Sequence, residues 1–125
     1  YDPVLKKGGL AHCLLPLSKS DPEKAANNPY MFVDTGFTKL LETLLASGCD
    51  IKRLVIVAVG GANINDQTNV FEIGKRNFTV LKKLLWKNNL LLKGEHVGDT
   101  VSRTLSLHIA DGKSILKVRG ETIEL

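Results

Sequence analysis

The stretch that decides the fold is LVIVAVGGAN, residues 54–63, in which a continuous apolar run ends on paired glycines. Valine and isoleucine dominate the run, and β-branched residues favour strands. A run without a polar position predicts a strand buried on both faces, as in a parallel sheet. Paired glycines at a strand end indicate positive φ or a close backbone approach. Residues 60–63 are therefore either a plain tight turn or a loop whose amides line a site.

Two amphipathic helices flank this strand in the sequence. The first has Asp34 or Thr35 as its N-cap and ends at Gly48, with apolar side chains at i, i+3, i+4, i+7 and i+8. The polar residues 18–29 before it predict an exposed, mobile loop. The second helix is predicted over residues 73–88, with its lysines mostly outside the apolar stripe.

The remaining elements are short strands. Residues 8–16 and 90–93 are predicted as strands, and residues 105–118 as a hairpin whose tight turn contains Asp111-Gly112. The resulting order is β-α-β-α-β-β-β. This order predicts a single α+β domain over residues 1–125.

Composition limits the class of protein. The chain has 125 residues, 43% of them hydrophobic and 24% charged, which is typical of one globular domain. No apolar run approaches the length of about 20 residues that spans a membrane. The net charge of +4 comes from dispersed lysines and arginines with few aromatic residues, so nucleic acid is not an expected partner. Two cysteines are too few for a disulfide scaffold and predict a cytoplasmic protein; nothing indicates a metal or another cofactor.

The segment GGLAHCLLP, residues 8–16, places a histidine beside a cysteine. On a strand His12 and Cys13 point to opposite faces, whereas a nucleophile and its base must lie within about 3 Å. Cys49 follows a helix C-terminus, which disfavours a thiolate. Both cysteines are therefore interpreted as structural. The other histidines are weaker candidates, because His96 lies in a predicted loop and His108 points outward from the hairpin.

Five short motifs occur in a fixed order along nearly the whole chain. They are YDP with GGLAH and LP (residues 1–16), FVDTG (32–36), GGAN (60–63), IGKRN (73–77), and VG with a later arginine (97–103). This order resembles the CheD family, the chemoreceptor glutamine deamidases of bacterial and archaeal chemotaxis.

The resemblance implies a fold and an activity. The fold is an α/β/β/α-like sandwich of mixed β-sheets with outer helices. The activity is that of a cysteine hydrolase without a cofactor, in which His12 activates the thiol and shuttles protons. Substrate-binding residues carried over by the motifs and the glycine turns are Gly60, Gly61, Ala62, Gly98 and Arg103. The implied partners are methyl-accepting chemoreceptors, as protein substrates, and a CheC-type phosphatase. The alternative is a non-catalytic chemotaxis module that binds this phosphatase or the receptors.

The sequence departs from the family in three places. The family's nucleophile lies in a Gly-Ser-Cys segment a few residues before the position of Tyr1, and a threonine of the site precedes it. Because the first residue is tyrosine, we expect this segment to lie upstream, although a degenerate protein that only binds is the other account. Asp99 stands at the family's second late glycine, and Phe32 stands where tyrosine is frequent.

Overall fold

The computed structural model describes residues 1–64 and 71–125, which form helices together with one parallel and one antiparallel sheet. The helices are α1 (Pro22–Asn27), α2 (Val33–Ala46) and α3 (Ile73–Lys87). The strands are β1 (Ile56–Gly60), β2 (Leu92–Val97), β3 (Arg103–Leu107), β4 (Ser114–Val118) and β5 (Glu121–Glu124). The predicted α+β class is confirmed.

The parallel sheet determines where the site lies. β1 pairs with β2 in parallel, from Ile56 opposite Leu92 to Gly60 opposite Val97. A parallel pair needs a crossover, and α3 provides it while packing against α2. Both strands therefore end at the same edge of the sheet. β3, β4 and β5 form a separate antiparallel sheet in that order.

The core of the described residues is small. Phe32 and Leu116 are 0% exposed, and the core also includes Leu85 and Leu90. Within β1 only Ala58 is buried. The prediction that this strand is buried on both faces is therefore wrong, because a cavity follows one of its edges.

The first seven residues form a closed turn, which we call the Asp2 turn. The Asp2 carboxylate is 0% exposed and accepts hydrogen bonds from the Arg53 guanidinium at 2.8 and 3.1 Å. It also accepts the backbone N–H groups of Val4 and Asp50. The bond from Arg53 holds the pKa of Asp2 far below its ordinary value. Tyr1 and Val55 exchange both backbone hydrogen bonds, at 3.0 and 2.8 Å, which fastens this turn to the chain just before β1.

The segment predicted as a loop over residues 18–29 is helical in large part. α1 begins after Asp21, whose carboxylate accepts the N–H of Lys24, with Pro22 at the first helical position. Asp-Pro suggests a turn in sequence, but an aspartate N-cap followed by proline also begins a helix. The predicted cap of α2 is wrong as well. That helix begins at Val33, and the Asp34 carboxylate instead accepts the N–H and hydroxyl of Ser18.

The strand predictions need three corrections. Residues 8–16 form no strand, and only Leu15 makes a bridge, to Phe32. β2 begins later than predicted and extends through His96, so this histidine lies in a strand and not in a loop. The sequence does not predict β5. Arg119 and Gly120 have positive φ, so the chain turns back after β4 and pairs with it as β5.

Candidate active site

The carboxyl ends of β1 and β2 form two adjoining turns, which we call the glycine rim (residues 60–63 and 97–99). Gly60 and Gly61 have φ of 108° and 60°, and Gly98 has φ of 82°. The N–H of Gly98 donates to the carbonyl of Gly60 at 2.8 Å, and the N–H of Asn63 donates to the carbonyl of Asp99 at 2.8 Å. The predicted positive φ at the paired glycines is confirmed, and the two turns are bonded to each other.

A cavity of about 320 Å³ lies beside β1. Its lining is mostly apolar and includes every residue from Leu54 to Gly61 in succession, whereas β2 contributes only Val97. A cavity against one face of a strand would contact alternate residues. Consecutive contacts therefore show that it follows the edge of β1 opposite β2.

The histidine-bearing segment, residues 8–13, contributes Gly9 to Cys13 to the lining of this cavity. Its side chains alternate in exposure, with His12 exposed and Cys13 half-buried, so the predicted opposite orientation is confirmed. Within the described chain, residues 8–13 make no hydrogen bond. The predicted buried strand is wrong because no described strand lies beside this segment. The next residue, Leu14, is held to α3, because the Asn77 side-chain amide donates to its carbonyl at 3.1 Å.

The side chains of both cysteines pack against other parts of the protein. The Cys13 sulfur lies 2.8 Å from the position that a Cβ on Gly36 would occupy, so it packs directly on α2. Burial, with a smaller contribution from Asp34, raises the pKa of the Cys13 thiol. A raised pKa lowers the fraction of reactive thiolate. Cys49 is buried at 6% exposure, next to the Asp2 turn.

The Arg103 guanidinium contacts backbone carbonyls in both turns of the glycine rim. Its Nη2 donates to the carbonyl of Gly98 at 2.8 Å, and its Nη1 lies 3.5 Å from the carbonyl of Gly60. Its Nε donates to Nδ1 of His96 at 2.8 Å. All three nitrogens of the guanidinium therefore bond to the protein itself.

The structure brings only some of the predicted residues to one cavity. His12, Gly60 and Gly61 line it together, whereas Ala62, Gly98 and Arg103 lie in or behind the glycine rim and do not line it. Sequence reasoning treated His96 only as a weak candidate in a loop and included Asn77 only within the IGKRN motif, without a role for either residue. For Asn77 a signal existed, since it stands three residues after Gly74 and shares its helix face.

Gly74 lets the start of α3 approach the glycine rim closely. A Cβ at this position would overlap the carbonyl oxygen of Gly61, so the first turn of the helix packs directly on the glycine rim. The backbone of Gly61 is thus held between α3 on one side and β2 with Arg103 on the other.

Asp99 occupies the position where the family usually has glycine. Its φ of 60° is a left-handed conformation that glycine adopts without strain. The carboxylate compensates by accepting the N–H of Thr100 at 2.8 Å and by pairing with Arg119 at 2.6 Å. The bond from Thr100, then the nearby Arg119, lowers the pKa of Asp99. Asp99 therefore keeps its carboxylate paired in this left-handed conformation.

The described residues offer neither a membrane-spanning helix nor a metal centre. None of their helices has the length and apolarity to cross a bilayer. Nor does this part of the chain group three His, Cys, Asp or Glu side chains as a metal site would require.

Comparison with known proteins gives one family. Residues 14–118 match the family described as CheD chemotactic sensory transduction. A probable chemoreceptor glutamine deamidase CheD of Solibacter usitatus is 47% identical over 125 residues, which cover 100% of this chain and 74% of that protein. The probable deamidase CheD 1 of Syntrophus aciditrophicus is 42% identical, covering 96% of this chain and 75% of its own. A relative of the same name in Methanococcus maripaludis is 33% identical, covering 97% and 77%. The motifs, the α+β fold and these matches establish that the chain belongs to the CheD family.

Proposed function

We propose that this protein is a chemoreceptor glutamine deamidase in which His12 is the general acid and base. The observation that carries the proposal is the position of His12, an exposed imidazole on the wall of the cavity that Gly60 and Gly61 also line. An accessible histidine that lines one cavity with glycines, whose backbone a ligand can approach closely, suits a side chain that enters from another protein. The names of the relatives give the substrate class.

The chemistry is hydrolysis of a primary carboxamide. A cysteine thiolate attacks the γ-carboxamide carbon of the glutamine, and His12 donates a proton to the departing nitrogen, so that the C–N bond breaks and ammonia leaves. Water then attacks the thioester carbon while His12 removes its proton. The C–S bond breaks, and the products are glutamate and the regenerated thiolate.

The nucleophile is proposed to lie on a segment that precedes Tyr1 and runs along β1. Tyr1 and Val55 exchange hydrogen bonds as an antiparallel pair, on the edge of the chain that faces the cavity. A chain that continued this pairing backwards would pass Val57 and Val59 and reach Gly60. A nucleophile a few residues before Tyr1 would then lie at the glycine rim.

The unpaired backbone of residues 8–13 supports the same arrangement. Residues 9–13 form one wall of the cavity that β1 also lines, and residues 8–13 leave their N–H and C=O groups without partners in the described chain. An extended segment between this wall and β1 would accept and donate hydrogen bonds on both sides, as the central strand of a sheet does. It would also bury the β1 side chains that are now half-exposed.

Two finer expectations accompany this proposal. Cytoplasmic location is supported by the free thiols of Cys13 and Cys49, because a reducing compartment keeps thiols unpaired. The CheC-type phosphatase stays a partner predicted by family resemblance.

The test is ammonia release by the protein carrying the upstream Gly-Ser-Cys segment of the family. With a receptor fragment rich in exposed glutamines as substrate, we expect His12→Ala to lower kcat by about a hundredfold or more, the usual scale for a general base. The matched control is His108→Ala, another exposed histidine, which lies just after β3 and does not itself line the cavity. The control should keep the wild-type rate.

Three results would contradict the proposal. Equal rates for His12→Ala and His108→Ala would remove His12 from the mechanism. Ammonia release by the 125-residue chain alone, at the rate of the extended protein, would place the nucleophile inside this sequence. A folded extended protein that binds receptor and releases no ammonia would favour the non-catalytic interaction module.

A further inference from the structure

The side of α3 that faces solvent carries a row of basic side chains. Helix positions spaced by three, four or seven residues share one face. The exposed residues of α3 have this spacing, and we call them the basic face: Lys75, Arg76, Thr79, Lys82, Lys83, Trp86 and Lys87. Five of the seven are cations, and the sequence of α3 contains no carboxylate.

The excess positive charge of the chain lies on this one helix. Of the 17 basic and 13 acidic residues in the sequence, α3 contains five basic residues and no acidic one. The rest of the sequence therefore has 12 basic and 13 acidic residues and is close to neutral. Basic residues that are dispersed along the sequence thus leave a local positive potential on the fold.

Most of these cations have no carboxylate partner. Lys75 lies 3.8 Å from the carboxylate of Glu72. The other four cations of the basic face form no ion pair within the described part of the chain. Lys82 instead places its ammonium 4.9 Å from the centre of the Phe78 ring, on its own helix. The positive charge of the face is therefore open to a partner from outside.

Two apolar side chains project at the far end of the basic face. Trp86 is 83% exposed and Leu91 is 87% exposed, more than any other large apolar side chain that the structure describes. Asn89 has φ of 56°, and the N–H of Leu90 donates to the carbonyl of Leu85 at 2.8 Å, so the chain turns back after α3. Leu91 thus lies at the same end of the helix as Trp86. Tryptophan is typical of residues that anchor protein interfaces.

The basic face begins next to the candidate site and leads away from it. Gly74, in the first turn of α3, lies against Gly61 of the glycine rim. The helix then extends over 15 residues, which is about 22 Å at the usual rise per residue. None of the seven residues of the basic face lines the cavity beside β1. The face is therefore separate from the place proposed for the nucleophile segment, and a long partner could contact both.

We propose that the basic face, with Trp86 and Leu91 as its apolar end, is a docking surface for an acidic helical segment of the protein substrate. The inference rests on the proposed function, because it assigns a binding surface to the same substrate. Charge complementarity specifies an acidic partner. The reaction itself makes the substrate more acidic, since each glutamine side chain that becomes glutamate gains one negative charge.

The spacing of the cations favours a helix as the partner. Lys75 and Lys82, like Arg76 and Lys83, are seven residues apart, which is about 10.5 Å along the helix axis. Carboxylates at the same interval lie on one side of a partner helix and would face both pairs of cations. A second copy of this chain fits less well, because its own basic face would bring cation against cation. A bilayer fits less well, because apolar side chains occupy only one end of the face.

The test compares two substrates of the extended protein. One is a receptor fragment with glutamates beside its exposed glutamines, and the other is a short peptide with a single glutamine and no charged side chain. We expect Lys82→Glu/Lys83→Glu to raise KM for the fragment at least about tenfold at low salt, because like charges then face each other. The kcat for the fragment and both constants for the short peptide should stay unchanged. The matched control is Lys113→Glu/Lys117→Glu, which alters net charge equally through exposed lysines on the antiparallel sheet and should change no constant.

A binding measurement gives a readout that needs no turnover. Trp86 is the one tryptophan among the 125 residues, so its fluorescence reports on this surface. Binding of a tryptophan-free fragment should shift that emission to shorter wavelength, because water leaves the indole. Trp86→Ala should weaken binding at least about fivefold, measured by the anisotropy of a labelled fragment. Because the side chain packs on little of the protein, this variant should keep its fold.

The outcomes distinguish this inference from the proposed function. An extended protein that releases no ammonia, yet binds the fragment and loses binding in Lys82→Glu/Lys83→Glu, keeps the docking surface and removes the deamidase. An active protein whose KM for the fragment is the same in both double variants overturns the docking surface alone. Binding to vesicles that contain phosphatidylserine, lost in Lys82→Glu/Lys83→Glu while fragment binding is retained, would assign the face to a membrane and overturn the inference as well.

Discussion

The Asp2 turn and the following segment, residues 8–13, are adjacent in sequence and opposite in character. In the first, a fully buried carboxylate is satisfied by a guanidinium and several backbone amides. In the second, the described chain gives the backbone no hydrogen-bond partner, and His12 lies exposed on a cavity wall. Neither region contains a helix or an assigned strand.

The difference indicates what each region is for. Buried polar groups in folded proteins are nearly always paired, so a closed network such as the Asp2 turn contributes to the fold. A run of unpaired backbone beside a cavity has the geometry of a surface that receives another segment or a ligand. Substitutions in the first region should therefore change stability, and substitutions in the second should change activity.

The largest expected effect on stability comes from Asp2→Asn, which removes the buried carboxylate that the Arg53 guanidinium bonds and leaves it only the exposed Asp50. Breaking one partner of a buried pair is strongly destabilising. We expect this variant to lower the unfolding midpoint more than any of the substitutions below, with kcat per folded molecule retained in the extended protein. Urea unfolding monitored by circular dichroism measures it, and Asp111→Asn, in an exposed turn, is the control.

The lowered pKa of Asp2 predicts that the stability of the protein falls in acid. The pKa of Asp2 is lowered in the folded state, so its contribution to stability is complete above the ordinary value near 4 and is lost as the pH falls below it. The stability difference between wild type and Asp2→Asn should thus be constant between about pH 5 and pH 7 and shrink toward about pH 3. A difference that grows in acid would contradict the assignment.

Gly36→Ala tests how tightly the histidine-bearing segment is held on α2. The new Cβ would lie 2.8 Å from the Cys13 sulfur and 3.3 Å from the Cα of Tyr30. Overpacking of this kind costs about 1–3 kcal/mol, offset in part by the better helix propensity of alanine. We expect a net loss of stability and a lower kcat, because the displaced segment carries His12.

A double variant tests whether the loss of stability comes from the contact between Cys13 and Gly36. In Cys13→Ala/Gly36→Ala the sulfur is gone, so part of the loss should be recovered, and the two single changes should not add. Strict additivity in urea unfolding would show that Cys13 and Gly36 do not contact each other. The control is Gly94→Ala, where the new Cβ would reach Leu125 at an ordinary 3.4 Å.

Much of the fold followed from periodicity and glycine placement. α3 was predicted within a residue because its apolar stripe is regular, and the positive φ at the paired glycines followed from their position at a strand end. The class was predictable for the same reason. Two local elements were not predicted. Asp21-Pro22 begins a helix, although the polar composition of this segment suggests a loop. β5 forms by pairing with β4, and its short polar sequence does not indicate that pairing.

The site was predictable only in part. His12 and the glycine turns were identified through motifs, since paired glycines at a strand end favour backbone conformations that other residues avoid. The strand predicted around His12 was wrong because alternating exposure defines an extended chain, whereas a strand also requires a neighbour. The bonding of Arg103 to His96 joins two strands of different sheets, and no spacing in the sequence indicates such a contact.

The smallest expected effects come from Cys13→Ala and Cys49→Ala. Cys13 is half-buried with a raised thiol pKa, and Cys49 is buried beside the Asp2 turn, so both act as small packing groups. Each change should cost about 0.5–1.5 kcal/mol of unfolding free energy, the lower part of the usual range for point variants. In the extended protein kcat should stay within about twofold of wild type, since both cysteines are predicted to be structural and the nucleophile to lie elsewhere. Labelling with iodoacetamide provides the second measurement: Cys13 should react slowly at neutral pH and faster in alkali. A folded Cys13→Ala variant that lost ammonia release by several orders of magnitude would identify Cys13 as the nucleophile and reverse the assignment of the two faces.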